Sequence, residues 1–234
     1  MTDIVLCHGA WSSVWAWTRM RPLLAQAGHR FWAPTYTGLG ARLHLASPDV
    51  NLETHIADVM GVIETEELRD VVLLGHSYGG MVATGVADRA HDRVRQVIYL
   101  DAFVPGDGHS VLDLLPEDHR SRMSAAVEAG DGWRIPPNPS PPDTAEADLD
   151  WIARHRVPMP VACFQQQLTL SAEPACPRHY IYAQRNMPGD PFRPFYERAQ
   201  SQSGWTAQAL DVSHSPNITA PDTLMTALST ALSA

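Results

Sequence analysis

The segment Gly75-His76-Ser77-Tyr78-Gly79 constrains this chain more than any other. It follows an apolar run, Val71-Val72-Leu73-Leu74, and precedes a stretch from Gly80 to Ala90 that reads as a helix. A G-x-S-x-G pattern between strand and helix describes a sharp turn whose serine projects above a sheet on a strained backbone. Strand and helix come so close there that a Cβ at Gly75 or Gly79 would clash. Ser77 is therefore the candidate nucleophile, and the chain reads as a serine-dependent hydrolase.

The 234 residues suit one large α/β domain, or one such domain with an inserted cap, and can bury a substantial core. A net charge of −9 disfavours nucleic acid and anionic membrane as partners. No run of 18 apolar residues exists, so no membrane span is expected, and the start Met1-Thr2-Asp3-Ile4 does not read as a signal peptide. Three cysteines, Cys7, Cys163 and Cys176, are an odd number without C-x-x-C spacing. This suits a reduced, cytoplasmic setting better than a disulfide framework. No metal motif is present, and the 11 histidines are scattered.

Along the chain, Ile4–Cys7 reads as a buried strand that ends at His8-Gly9-Ala10-Trp11, and 13–27 as a helix closed by Gly28. A second strand over 29–33 stops at Pro34, and Ile56, Val59, Met60 and Ile63 give 52–68 a helical spacing. Strands are expected at 70–74 and 94–100. The rhythm then breaks: residues 105–177 are rich in Pro, Asp and Ser, with short helices expected at 121–129 and 144–155. Proline-rich stretches are often linkers, but Trp133, Trp151 and Phe164 argue for a packed, pocket-forming cap. Strand and helix resume at 180–183, 192–202, 206–210 and 221–232. The reading is an α/β core over 1–104 and 178–234, a mostly parallel sheet flanked by helices, with a cap at 105–177.

A serine hydroxyl needs a base within hydrogen-bond reach, and the base needs an orienting acid. His214, in a loop between the last strand and the last helix, is the candidate base. His76 is next to the serine but points elsewhere on a tight turn, so it is expected to be structural, while His8 braces the loop after the first strand. The oxyanion hole needs two backbone amides. Tyr78, next after the nucleophile, and Ala10, in the first loop, are the candidates.

Taken together, His8-Gly9-Ala10-Trp11…Trp15, Arg21-Pro22-Leu23-Leu24…Ala27-Gly28-His29 and Gly75-His76-Ser77-Tyr78-Gly79-Gly80-Met81 resemble the α/β-hydrolase superfamily. The likeness is nearest to its branch of plant methylesterases, hydroxynitrile lyases and bacterial pyrethroid-type carboxylesterases. It implies the α/β-hydrolase fold and a cofactor-free acyl hydrolase with a hydrophobic pocket under a small cap. Two departures stand out. The acid of that branch usually follows the strand matching 180–183, but here Gln184-Arg185-Asn186 follows. Asp190 is the nearest carboxylate, and Asp101 is the other candidate. Asp101 ends Ile98-Tyr99-Leu100, in a segment similar to that of haloalkane dehalogenases where a Glu supplies the acid. Asp101 is preferred and Asp190 kept as the alternative. Secondly, the lyases of the branch carry a lysine after the base, whereas Ser215-Pro216-Asn217 follows His214 in a chain poor in lysine.

The expected function is hydrolysis of a small to mid-sized hydrophobic carboxylic ester through an acyl-enzyme, by a monomer or homodimer. Trp11, Phe103, Trp133, Trp151 and Phe164 are candidates for the pocket. A lyase on the same triad and a receptor-like binding protein with a weak triad are the alternatives.

Overall fold

A computed structural model describes residues 1–185 and 190–233, so Asn186 lies outside the described residues. The chain opens with β1 (Asp3–Cys7), a short 3-10 turn (Val14–Trp17), α1 (Met20–Gln26), β2 (Arg30–Trp32), α2 (Leu52–Thr65), β3 (Val71–His76), α3 (Gly79–Arg89) and β4 (Val94–Leu100). Next come α4 (Val111–Leu114), α5 (Glu117–Ala129), β5 (Arg134–Ile135), α6 (Glu146–His155), β6 (Met159–Pro160) and α7 (Ala162–Gln165). The chain closes with β7 (Arg178–Ala183), α8 (Arg193–Ser201), β8 (Trp205–Leu210), α9 (Pro216–Thr219) and α10 (Pro221–Ser233). Six strands form one sheet in the order β2-β1-β3-β4-β7-β8. Every neighbouring pair in it is parallel.

The central strand β3 is buried along its whole length, as a parallel strand with helices on both faces must be. Val71 and Leu73 enter the core that α2 and α3 cover, with Ile56, Val59, Val82 and Val86. Val72 and Leu74 point the other way, into a core with Leu24 of α1 and Leu224 and Leu228 of α10. Each fully buried side chain of this kind contributes roughly 1.5–3 kcal/mol.

The single helix expected over 13–27 is two elements, the 3-10 turn and α1. Pro22 gives the reason. It has no N–H for the carbonyl four residues back, so it fits the first turn of a new helix but not the middle of an old one. Gly28, with φ +79°, ends α1: its amide donates to Ala25 O and that of His29 to Leu24 O, closing a Schellman motif.

Residues between β4 and β7 pack on the sheet domain. β5 and β6 pair antiparallel, Arg134 with Pro160 and Ile135 with Met159. Trp11 Nε1–H donates to Ile135 O at 2.9 Å, Glu53 N–H to Gln166 Oε1 at 2.9 Å, and Arg19 holds both oxygens of Asp148 at 2.7 and 2.8 Å.

The approach of α3 to the strands needs glycine. A Cβ at Gly79 would sit 1.9 Å from Cys7 O, one at Gly80 2.1 Å from Phe103 O, and one at Gly75 3.0 Å from Ala83 Cβ. Gly80 thus joins the two positions expected from the sequence. Gly79→Ala is expected to cost ~3 kcal/mol or more in urea unfolding, because backbone rather than a flexible side chain meets the new methyl. Gly61→Ala, in α2 with nothing within 4 Å of its Cβ position, is expected to gain ~1 kcal/mol in the same measurement.

Candidate active site

Three strand ends leave the sheet through left-handed backbone at residues other than glycine. Trp11 in the loop after β1 has φ +58°, Ser77 after β3 φ +56°, and Asp101 after β4 φ +43°. Such a conformation costs about 1–3 kcal/mol at each residue and persists only where the surroundings enforce it. Here they do. Ser77 N–H donates to Leu100 O at 3.2 Å, Ser77 O accepts from Phe103 N–H at 3.2 Å, and Asp101 N–H donates to Ile181 O at 2.7 Å.

These turns gather three side chains. His214, in the loop after β8, lies with Nε2 3.0 Å from Ser77 Oγ and Nδ1 2.6 Å from Asp101 Oδ2. A carboxylate only accepts, so Nδ1 carries the proton and Nε2 accepts from the serine hydroxyl. The Asp101 side chain is wholly buried and that of His214 is 31 % exposed, so the imidazole is open to solvent while the carboxylate is not. The other Asp101 oxygen accepts from Ala183 N–H at 3.1 Å. Asp190 is occupied elsewhere: Oδ2 takes the Tyr182 hydroxyl at 2.6 Å and Oδ1 the Phe192 amide at 2.8 Å.

Three more histidines surround this group, all buried. His76 Nε2–H donates to the carbonyl of His214 at 2.8 Å, which ties the loop of His214 to β3. His8 accepts from Tyr36 N–H through Nε2 at 3.3 Å and donates from Nδ1 to Gly9 O at 3.0 Å, within the loop that carries Ala10. His55 donates from Nε2 to Thr37 O at 3.1 Å and accepts from the Tyr78 hydroxyl through Nδ1 at 2.9 Å, fixing the side chain next to Ser77. Burial pushes His8 and His76 down to about 3 and His55 down to about 4, so all three are neutral at pH 7.

The aromatic side chains fall into separate sets. Trp11 and Tyr78 both contact Phe164, at ring-centroid distances of 5.9 and 5.5 Å. Phe103 meets Phe192 edge-on at 5.0 Å, and Phe192 in turn lies on His214. Trp151 instead packs on Trp15 and His155, and Trp133 lies under the Arg134 guanidinium. Among the described residues neither tryptophan shares a ring contact with the first two sets. Phe192 was not singled out from the sequence. Its only signal there is an aromatic residue two positions past a candidate acid. Among the described residues no group of three His, Cys, Asp or Glu side chains could hold a metal ion.

A family model described as the alpha/beta hydrolase family matches residues 4–227. A carbendazim hydrolyzing esterase of Nocardioides sp. (strain SG-4G) is 38 % identical over 234 residues, covering 96 % of this chain and 97 % of the relative. Methylesterase 2 of Arabidopsis thaliana is 31 % identical over 108 residues, 45 % of this chain and 41 % of the relative. An extracellular alpha/beta-hydrolase from a Paenibacillus species, whose structure has been solved, superposes with a TM-score of 0.86 at 24 % identity over 99 % of each chain.

The three buried histidines give the fold a pH dependence. Each stays neutral in the folded chain but takes up a proton near pH 6.5 once unfolded. Their contribution is therefore complete above about pH 6.5 and is lost as pH falls toward 4, at up to ~1.4 kcal/mol per pH unit for each group. Urea unfolding at pH 7.5, 6 and 5 should show this decline, and His55→Gln should make it shallower by about a third.

Proposed function

Since the chain belongs to the alpha/beta hydrolase family and is a carboxylic-ester hydrolase, we propose that it works through Ser77 as nucleophile, His214 as general base and Asp101 as the acid that orients the base. The observation that carries this reading is the unbroken hydrogen-bond path from Ser77 Oγ through both imidazole nitrogens to a buried carboxylate. His214 Nε2 takes the serine proton as Oγ attacks the ester carbonyl carbon. The positive imidazole that results faces Asp101, which keeps the proton on Nδ1 and the ring in register. The developing oxyanion is met by the amides of Ala10 and Tyr78, neither of which has another acceptor among the described hydrogen bonds. Tyr78 also stands at the N-terminus of α3, whose dipole favours negative charge there. His214 then gives its proton to the leaving alcohol. Water, activated by the same nitrogen, clears the acyl group from Ser77.

Residues 105–177 act on this reading as a cap over the strand ends, joined to the oxyanion loop by Trp11. The carbonyl of Trp11 accepts from Val157 N–H at 3.3 Å and its indole donates to Ile135 O. On this reading the pocket draws on the two aromatic sets, Trp11, Tyr78 and Phe164 and then Phe103 and Phe192, which suits a hydrophobic ester of small to middle size. The likeness to a carbendazim hydrolyzing esterase makes carbendazim a substrate to try beside p-nitrophenyl esters.

Turnover of p-nitrophenyl butyrate tests the assignment. Ser77→Ala should lose roughly 10³-fold or more in kcat and give no burst of p-nitrophenol. Asp101→Asn should lose about 10³-fold, because the imidazole then takes the wrong tautomer. Asp190→Asn should lose no more than about tenfold. Comparable losses at 101 and 190 would remove Asp101 from the role of orienting acid.

A further inference from the structure

The phenyl ring of Phe192 lies flat on the imidazole of His214, with ring centroids 4.9 Å apart and planes within 6° of parallel. The phenyl is held from several directions. Its amide donates to Asp190 Oδ1 at 2.8 Å, and the second oxygen of Asp190 accepts from the Tyr182 hydroxyl at 2.6 Å. Phe103 meets the ring edge-on at 5.0 Å. The residue is 7 % exposed. His214 is less enclosed: its side chain is 31 % exposed, its carbonyl is held by His76, whose tilted ring lies 5.0 Å away, and its two ring hydrogen bonds run from the ring nitrogens in the plane of the imidazole. In-plane bonds resist rotation within the plane and leave tilting out of it to be checked by whatever touches the face. A close face contact also keeps water from the Nδ1–H···Asp101 bond, which water would otherwise compete for.

We propose that Phe192 is a positioning residue for His214. Its ring holds the imidazole in the plane joining Ser77 to Asp101 and shields the Nδ1 proton, and Asp190 is the anchor that seats the ring. The proposal rests on the reading of His214 as the base. It gives Asp190 a part in the site without contact with the reacting atoms, acting through Phe192.

The test uses Phe192→Leu, Phe192→Tyr, Asp190→Ala and His214→Ala in the full chain, with p-nitrophenyl acetate and p-nitrophenyl hexanoate as substrates. Phe192→Leu keeps apolar volume but removes the flat face. It should lower kcat about tenfold for both esters with KM within about twofold, since a misaligned base slows chemistry whatever the acyl group. Phe192→Tyr should restore kcat to within about twofold, and Asp190→Ala should lower it in the direction of Phe192→Leu. The low-field proton resonance of His214 Nδ1–H should be sharp in the native protein and in Phe192→Tyr. In Phe192→Leu it should broaden through exchange with water while the thermal midpoint stays within a few degrees. A Phe192→Leu protein with native kcat and a sharp low-field resonance overturns the proposal. So does a loss confined to KM or to the hexanoate, which would make Phe192 a pocket wall only. Native turnover in His214→Ala would overturn the base assignment itself. An inactive His214→Ala beside a native-like Phe192→Leu would remove the positioning role alone.

Discussion

The approach of α3 to the ends of β1 and β4 governs everything built above the sheet. Carbonyls of Cys7 and Phe103 stand where Cβ atoms of Gly79 and Gly80 would be. With hydrogen there instead, the helix sits low enough for the turn at Ser77 to close on φ +56°, with its amide bonded to Leu100, the last residue of β4, and its carbonyl to Phe103 beyond it. Those bonds fix where the chain goes at Asp101, and Asp101 in turn fixes the imidazole of His214. The left-handed conformations at Trp11, Ser77 and Asp101 all cluster where the chemistry is proposed, and strain held by a packed scaffold is a recurrent mark of such places. Among the described residues the other two that have positive φ without being glycine, Glu67 and Asp70, lie at the opposite end of β3, in the turn entering it.

Much of this was legible in the chain. Val71–Leu74 is apolar throughout because a parallel strand is covered on both faces, and the glycines around Ser77 announce a turn that tolerates no side chains. The sequence left the acid open because residue order cannot say which strand end reaches the histidine. Asp101 and Asp190 both follow strands of the same sheet, and the distinction is one of three-dimensional direction. Asp101 points from the end of β4 toward the loop after β8, while Asp190 turns to Tyr182 and the amide of Phe192. For Trp133 and Trp151 the residue type alone names no partner. A tryptophan in an insertion signals packing, but its partner is not written beside it. Trp151 found Trp15 and the Arg19 guanidinium. Phe192 was illegible for the same reason, since its significance lies in which ring it meets.

The neutral histidines complete the electrostatic logic. Asp101 is a buried carboxylate, and a buried charge is tolerated where hydrogen bonds and a compensating charge are close. The backbone supplies one such bond from Ala183, and His214 supplies another. In the proposed mechanism a compensating positive charge arises at His214 when that ring accepts the proton of Ser77. A second positive charge nearby would oppose this. The ring of His76 is 5.0 Å from that of His214, and two unit charges at that separation repel by about 3 kcal/mol at an effective dielectric of 20. Burial removes the conflict by keeping His76 neutral, leaving it one N–H to give, and it gives that N–H to the carbonyl of His214. The burial that weakens the fold toward low pH is thus the same burial that lets a second imidazole stand beside the proposed base and hold its backbone without competing for its charge.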